Sequence, residues 1–597
     1  MTTIDMPWFD VQSFGVLGDR LLGGTRFTGV VESYDDGQSW HRLGTGLIGS
    51  EDIRAIQFNL QGVPHISTYG SGIFQLNPWS RSWLPMNTGL DGHLRVTSLA
   101  GAYRRNADLE KSLKAFKSAA DLVPTSRALF NVGVAYGLLD DHDNAFKWLF
   151  KAKDTGTFLV ANVAVSPAAA NLRDDERYQN LFPADSEYAD SFVEGTRVIQ
   201  DWYGENAGDT FGWIARNIGD VDGVNDVTTS SPGYSSAAGK IYTYSGRTGR
   251  LLWSAVGKHA GGRLGHGIEA AGDVNADGVL DVVAGAPYVN LVTVFSGIDG
   301  KELFTVAGAD TSGAFGLSVK GVGDVDGDGH SDILIGEPFQ VFGGAINGGD
   351  LSGSGRVHVI SGADQSSLME LSGEGAGHGF GSSVSGASHT RGFTLIVGAP
   401  GAGEEGNGKS YVYTSLSGEP HFTAEPDSGA AQYGSMFLSV VGDLNADGYE
   451  DVYISDWGDN SIAAGAGKVY LYSGRDGALL YSLAGENSGE GFGIGISDAG
   501  DVNRDGFDDL VVGAWQNASA APSGGKLFIH SGHDGSLMFE ITGKVAGETL
   551  GFDSTGMGDV DGYVDFLITS AYSMKNGFQS GRTLILSGNP EENHGRY

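Results

Sequence analysis

The sequence predicts a mainly β protein: a seven-bladed β-propeller over residues 190–597, preceded by a small α-helical segment (99–185) and a partial β-repeat module (1–98). Three observations carry this reading. One unit recurs seven times after about residue 190. Each copy holds short runs of alternating apolar and polar residues bounded by glycines, the period-2 pattern of strands. Glycine makes up 97 of 597 residues without a three-residue period, which excludes collagen and supplies turns for many short strands.

Taking the chain in order, residues 1–98 read as strand and turn. Ser33-Tyr34-Asp35-Asp36-Gly37-Gln38-Ser39-Trp40 resembles the Asp-box, a turn of sialidase-like and sortilin-like propellers whose role is structural, and a degenerate copy ends at Trp83. Residues 99–185 show tetratricopeptide spacing. Leu99, Tyr103, Ser112, Phe116, Ala119 and Pro124 fit one repeat, and Val132, Gly133, Tyr136, Ala145, Leu149 and Ala152 fit most of a second. A plain helical linker domain is the alternative reading.

The recurring unit opens on an aromatic or leucine followed by glycine: Phe211-Gly212, Leu264-Gly265, Phe315-Gly316, Phe380-Gly381, Tyr433-Gly434, Phe492-Gly493 and Leu550-Gly551. An acidic loop follows, then an apolar strand ending in a small-residue turn such as Gly285-Ala286-Pro287. Alternating strands such as GKIYTYSG and DGALLYSLAG complete the unit. Four strands repeated seven times is the propeller signature. The seventh unit runs out after three strands, and an orphan strand, Thr196–Tyr203, precedes the first opener. The ring is therefore expected to close by adding that early strand to the last unit.

Composition narrows function. Acids outnumber bases 73 to 37, a formal charge of -36, which disfavours nucleic acid as partner and favours a cation such as calcium. Cysteine is absent, excluding disulfides, thiolate zinc sites and cysteine nucleophiles. The start carries Asp5 and Asp10 in place of a basic then apolar leader, so no signal peptide is read there, and no apolar run is long enough to span a membrane.

Four of the acidic loops share one spacing, D-x-[DN]-x-D-G-x-x-D. The first two offer Asp273, Asn275, Asp277, the Val279 carbonyl and Asp281, then Asp324, Asp326, Asp328, the His330 carbonyl and Asp332. The others offer Asp443, Asn445, Asp447, the Tyr449 carbonyl and Asp451, then Asp501, Asn503, Asp505, the Phe507 carbonyl and Asp509. Oxygens at positions 1, 3 and 5 converge when the loop winds tightly, and glycine at position 6 permits the turn. So many carboxylates repel unless a hard dication sits among them, and calcium, which takes 6–8 oxygens, suits better than magnesium. About four calcium sites are expected.

An EF-hand needs glutamate at position 12, where Ala284, Ile335, Ile454 and Val512 stand, so that reading fails. Plain Asp/Asn/Gly turns are the bland alternative, weakened by four copies in register. The loops Asp220–Asp226 and Asp559–Asp565 lack two residues and with them position 5. The fourth unit, Gly386–Gly392, has no acids and is expected to hold no metal.

Phe-Gly openers, Gly-Ala-Pro turns and these loops together resemble the FG-GAP repeats of the integrin α-subunit head, over about 195–590. The resemblance implies a seven-bladed propeller with calcium hairpins on one face and partner contacts mainly on the other. It also implies an extracellular or cell-surface setting, at odds with the unread export signal. Integrin leg and membrane domains are not among these residues, so receptor signalling does not carry over. Similar repeats accompany lectins, polysaccharide-degrading enzymes and phospholipases, so the resemblance speaks to architecture before activity.

Two decoys are set aside. Gly403–Ser410 matches the phosphate-loop pattern, but a strand follows where a helix is required. Asn517-Ala-Ser519 is a formal glycosylation acceptor. Trp253 and Tyr481 read as packing between blades, whereas the loop residues Trp457 and Trp515 stay open as ligand contacts. The leading expectation is a calcium-stabilised binding module for a protein or glycan ligand, with no catalytic residues identified. A lectin, a polysaccharide-acting enzyme with its site at the propeller channel, and a scaffold are the alternatives.

Overall fold

A computed structural model describes residues 171–589 apart from 310–312, 342–343, 346–352 and 404–405, together with separate segments within 11–85 and 109–170. The chain divides into two compact units, residues 1–182 with 342–349, and residues 183–341 with 350–597.

In the first unit two antiparallel four-stranded sheets form. One contains Val11–Leu17, Arg20–Thr25, Val30–Ser33 and His41–Arg42, the other Ile53–Phe58, Pro64–Thr68, Gly72–Asn77 and Ser82–Pro85. Leu22, Val30, Leu43, Ile53, Ile66 and Trp83 share one core. Trp83 is buried, and its indole N–H donates to the Leu43 carbonyl at 2.9 Å, which satisfies its one polar atom. Residues 35–40, the heart of the expected Asp-box, lie outside the described residues.

Among the described residues three α-helices follow, Leu109–Leu122, Ser126–Leu138 and His142–Asp154. Val132, Ala145, Leu149 and Ala152 are fully buried in their common core, with Phe116 and Tyr136 packed against it. Leu99, Tyr103 and Pro124 lie outside the described residues. Beyond the third helix the described chain forms short 3-10 turns, Pro167–Leu172 and Tyr178–Leu181.

Among its described residues the second unit contains seven four-stranded antiparallel sheets. Unit 2 shows the plan: Gly267–Gly272, Asp281–Ala286, Leu291–Phe295 and Glu302–Ala307, hydrogen-bonded in that order. Its second strand is buried at every residue, while the fourth alternates between exposed and half-buried. A strand covered on both faces reads as a continuous apolar run, and one with an outer face alternates. The first strand of each sheet lies against that of the next, and the first strand of the seventh against that of the first.

The repeated motifs map onto the seams between sheets. Each opener residue is buried, and four of the seven meet an aromatic ring of their own third strand edge-on: Phe211 on Tyr242 at 5.2 Å, Phe380 on Tyr411 at 5.2 Å, Tyr433 on Tyr470 at 5.4 Å and Phe492 on Phe528 at 5.3 Å. The glycine of the Gly-Ala-Pro turn abuts the next opener: a side chain at Gly285 would collide with the carbonyl of Gly316. Both halves of the sequence signature are thus demanded by one close approach between neighbouring sheets.

The last sheet is completed from the other end of the unit, as expected. Val198–Tyr203 pairs antiparallel with Arg582–Leu586. Arg582, 1% exposed, donates to both carboxylate oxygens of Asp201 at 2.8 and 2.9 Å and to Glu548 at 3.0 Å. A bidentate pair from a buried arginine fixes register as well as charge.

Candidate metal centres

All four full-length acidic loops join the first strand of a sheet to its second, and their backbones wind alike. The position-1 carboxylate accepts the amides of positions 5 and 6: Asp273 from Asp277 (3.0 Å) and Gly278 (2.9 Å), Asp324 from Asp328 (3.0 Å) and Gly329 (2.9 Å). Asp443 accepts from Asp447 (3.0 Å) and Gly448 (2.7 Å), and Asp501 from Asp505 and Gly506, both 3.0 Å. Position 3 accepts the position-5 amide through Asn275 (2.9 Å), Asp326 (3.1 Å), Asn445 (2.8 Å) and Asn503 (2.8 Å). Position 5 accepts the position-7 amide, Asp277 from Val279, Asp328 from His330, Asp447 from Tyr449 and Asp505 from Phe507, at 2.9–3.0 Å. Three side chains are thereby held over one turn.

Position 9 is different. Asp281, Asp332 and Asp509 open the second strands and Asp451 immediately precedes one, and all four are fully buried. One oxygen of each accepts the position-2 amide, Val274, Val325, Leu444 or Val502, at 2.8–3.0 Å. The other accepts a glycine amide from the turn after the third strand, Gly297, Gly362, Gly474 or Gly532, at 3.0–3.1 Å. Each position-9 carboxylate therefore ties its loop to the sheet.

Burial sets the electrostatics. It pushes Asp281, Asp332 and Asp509 up to about 6 and Asp451 up to about 7, although backbone N–H donors pull the other way. Among the described residues no lysine or arginine forms an ion pair with any carboxylate of the four loops. An all-oxygen donor set around uncompensated negative charge is the chemistry of a hard dication, and these residues fit calcium.

The shortened loops gather their acids too. Asp220, Asp222 and Asp226 each offer an oxygen within 4.8 Å of the others, as do Asp559, Asp561 and Asp565, and so do Asp324, Asp326 and Asp332. Loss of two residues removes position 5 without dispersing the remaining three. Sequence reasoning also missed position 4, which is left-handed in the full-length loops: φ is 58° at Ala276, 57° at Ala446 and 64° at Arg504, with Gly327 in the same place at 84°. Only Gly327 signals that conformation in sequence. In the acid-free fourth unit the chain turns back as a tight hairpin, His389 opposite Gly392.

Other candidates resolve into packing. Lys409–Tyr413, after the phosphate-loop match, is a third strand paired to Leu395–Ala399. Asn517 is 3% exposed and donates to Glu490 at 2.6 Å, so its amide is already used. Trp253 donates to Gly297 of the next sheet at 2.8 Å, and Tyr481 to Gly532 of the next sheet at 2.5 Å. Trp457 and Trp515 are buried, the latter against Phe552 and Tyr572 of the seventh unit.

One cluster was not anticipated. On the innermost strands Arg216 pairs with Asp553 of the seventh unit (2.5 Å) and with Glu269 of the second, and Lys320 of the third reaches Glu269 at 3.0 Å. Burial raises Glu269, but Arg216 and Lys320 outweigh it and hold the carboxyl below its usual range. These charges satisfy one another across four sheets. Their signal was a charged residue in, or for Asp553 just before, each of these first strands, legible only once those strands are neighbours.

With the geometry in place, similarity to known proteins adds a name. The FG-GAP repeat family matches residues 315–360. Integrin alpha-5 of Xenopus laevis is 29% identical over 221 residues, 34% of this chain and 21% of that protein. Integrin alpha-V of Gallus gallus is 29% identical over 265 residues, 42% of this chain and 20% of that protein. Phosphatidylinositol-glycan-specific phospholipase D of Homo sapiens is 25% identical over 394 residues, 54% and 46% respectively. The chain spans about a fifth of the length of these integrin relatives. No helix among the described residues is long and apolar enough to cross a membrane. Residues 315–360 match an FG-GAP repeat, and the array of sheets that holds them is similar to the FG-GAP β-propeller of integrin α-subunits.

Proposed function

We propose that the second unit is a closed seven-bladed propeller that binds calcium in the loops 273–281, 324–332, 443–451 and 501–509 and serves as an extracellular, adhesion-type binding module. The observation that carries the calcium reading is the set of position-9 aspartates, fully buried yet without a cationic partner, beneath three further oxygen donors. Calcium supplies the missing positive charge; the chain supplies donors already oriented by backbone N–H groups. The cation then rigidifies four hairpins that join first strands to second strands, and the propeller presents its remaining loops to a partner. Similarity to integrin α-subunits supports a protein ligand over a glycan or a catalytic role.

Thermal melting of chelator-treated protein during calcium titration tests the metal half. Binding to the native state alone stabilises by about 2.7 kcal/mol per site at a hundredfold excess over Kd. The melting temperature should climb with calcium and level off only logarithmically. A melting temperature indifferent to millimolar calcium contradicts the reading. Binding to panels of extracellular proteins and of glycans, each with and without chelator, tests the other half: calcium-dependent protein binding is expected, and capture by glycans alone would overturn it.

A further inference from the structure

The fourth unit, which has no acids in its loop, places a cation on its neighbour. Arg391, at the tip of that hairpin, lays its guanidinium over the ring of Tyr449, 4.5 Å from the centroid. Tyr449 is position 7 of the loop 443–451. The same guanidinium lies against position 6: a Cβ on Gly448 would stand 2.7 Å from Arg391 Nη2. The equivalent glycines of the other three full-length loops, Gly278, Gly329 and Gly506, have no atom within 4 Å of that point. The loop 443–451 therefore carries a positive charge brought from the neighbouring sheet beside the turn that gathers its oxygens, whereas the loop 501–509 has Arg504 within itself at position 4.

We propose that Arg391 is an affinity-setting residue, a built-in competitor that weakens cation binding in the loop 443–451 relative to the loops 273–281 and 324–332, which contain no lysine or arginine. The inference rests on the calcium reading above. A guanidinium is charged at every relevant pH, and the aromatic ring beneath it holds it in place. It offsets part of the loop's negative charge when no cation is bound, and it repels a dication that arrives. Both effects favour the empty loop. The charge is exposed, so water and salt reduce the effect to about two- to fivefold in affinity.

The test uses the full chain and terbium, a trivalent stand-in for calcium excited through a nearby tyrosine. Tyr449→Phe identifies which part of the signal comes from this loop. Titration midpoints are then compared for native protein, Arg391→Gln and Arg391→Lys. The expected result is a midpoint about two- to fivefold lower for Arg391→Gln and near native for Arg391→Lys. The gap should narrow in 1 M salt, where charges are screened over about 3 Å. Equal midpoints, or weaker binding by Arg391→Gln, overturn the role given to Arg391 and leave the calcium reading standing. No saturable signal dependent on Tyr449 in any variant overturns both.

Discussion

Asp459 shows how one side chain separates otherwise equivalent units. In unit 6 the same place is taken by Asn517, whose amide donates to buried Glu490 at 2.6 Å. Asp459 is 1% exposed; one oxygen accepts the Ser461 amide at 2.8 Å, and the other has no donor. Beside it, burial pushes Asp456 up to about 7, and the charge of Asp459 adds to the rise. A carboxyl raised in the folded state stabilises most below its unfolded value near 4, and that contribution is lost as pH climbs through 7. Asp459→Asn removes the charge and supplies a donor. It should stabilise the protein by about 1 kcal/mol at pH 8 and hardly at all at pH 5, read from thermal melts at both. Equal effects at both values would contradict this. A second expectation concerns Ala276 with φ at 58°, where the neighbouring loop uses Gly327. Ala276→Gly should stabilise by about 1 kcal/mol in chemical denaturation, because a left-handed residue is relieved of its Cβ.

Among elements, the closing strand is the one whose loss reaches furthest. Val198–Tyr203 could be assigned to the last sheet by counting strands, since three at one end and one at the other make four. Its chemical lock could not, because Arg582 and Asp201 are 381 residues apart, and the basic residue that recurs at the start of most third strands does not by itself name its partner. Arg582→Met leaves Glu548 buried without its cation and Asp201 without an ion-pair partner at the surface, and should cost about 3 kcal/mol in equilibrium unfolding. A cost below 1 kcal/mol would show that the strand closes the array by backbone pairing alone. The same contrast runs through the metal loops. Their donors were legible because spacing alone brings positions 1, 3 and 5 together. The anchoring of position 9 to Gly297, Gly362, Gly474 and Gly532 depends on a turn two strands away. The convergence of Asp220, Asp222 and Asp226 in a shortened loop was left open by the sequence because it depends on how the strands splay, which spacing does not record.

For the whole molecule, a charge of -36 and buried acids in every metal loop make stability a joint function of pH and calcium. Asp281, Asp332 and Asp509, raised to about 6, and Asp451, raised to about 7, are protonated in the calcium-free fold at pH 5 and must ionise above it. The calcium-free melting temperature should therefore fall between pH 5 and pH 8. With saturating calcium the ionised form is the one that binds, so the trend should flatten or reverse. Parallel pH profiles with and without calcium would contradict the assignment of these groups to the metal sites. The most direct measurement is anomalous diffraction from crystals grown in saturating calcium. Peaks are predicted in the loops 273–281, 324–332, 443–451 and 501–509, each about 2.3–2.6 Å from oxygens of positions 1, 3, 5 and 9. Four loops without anomalous density under those conditions would contradict the account.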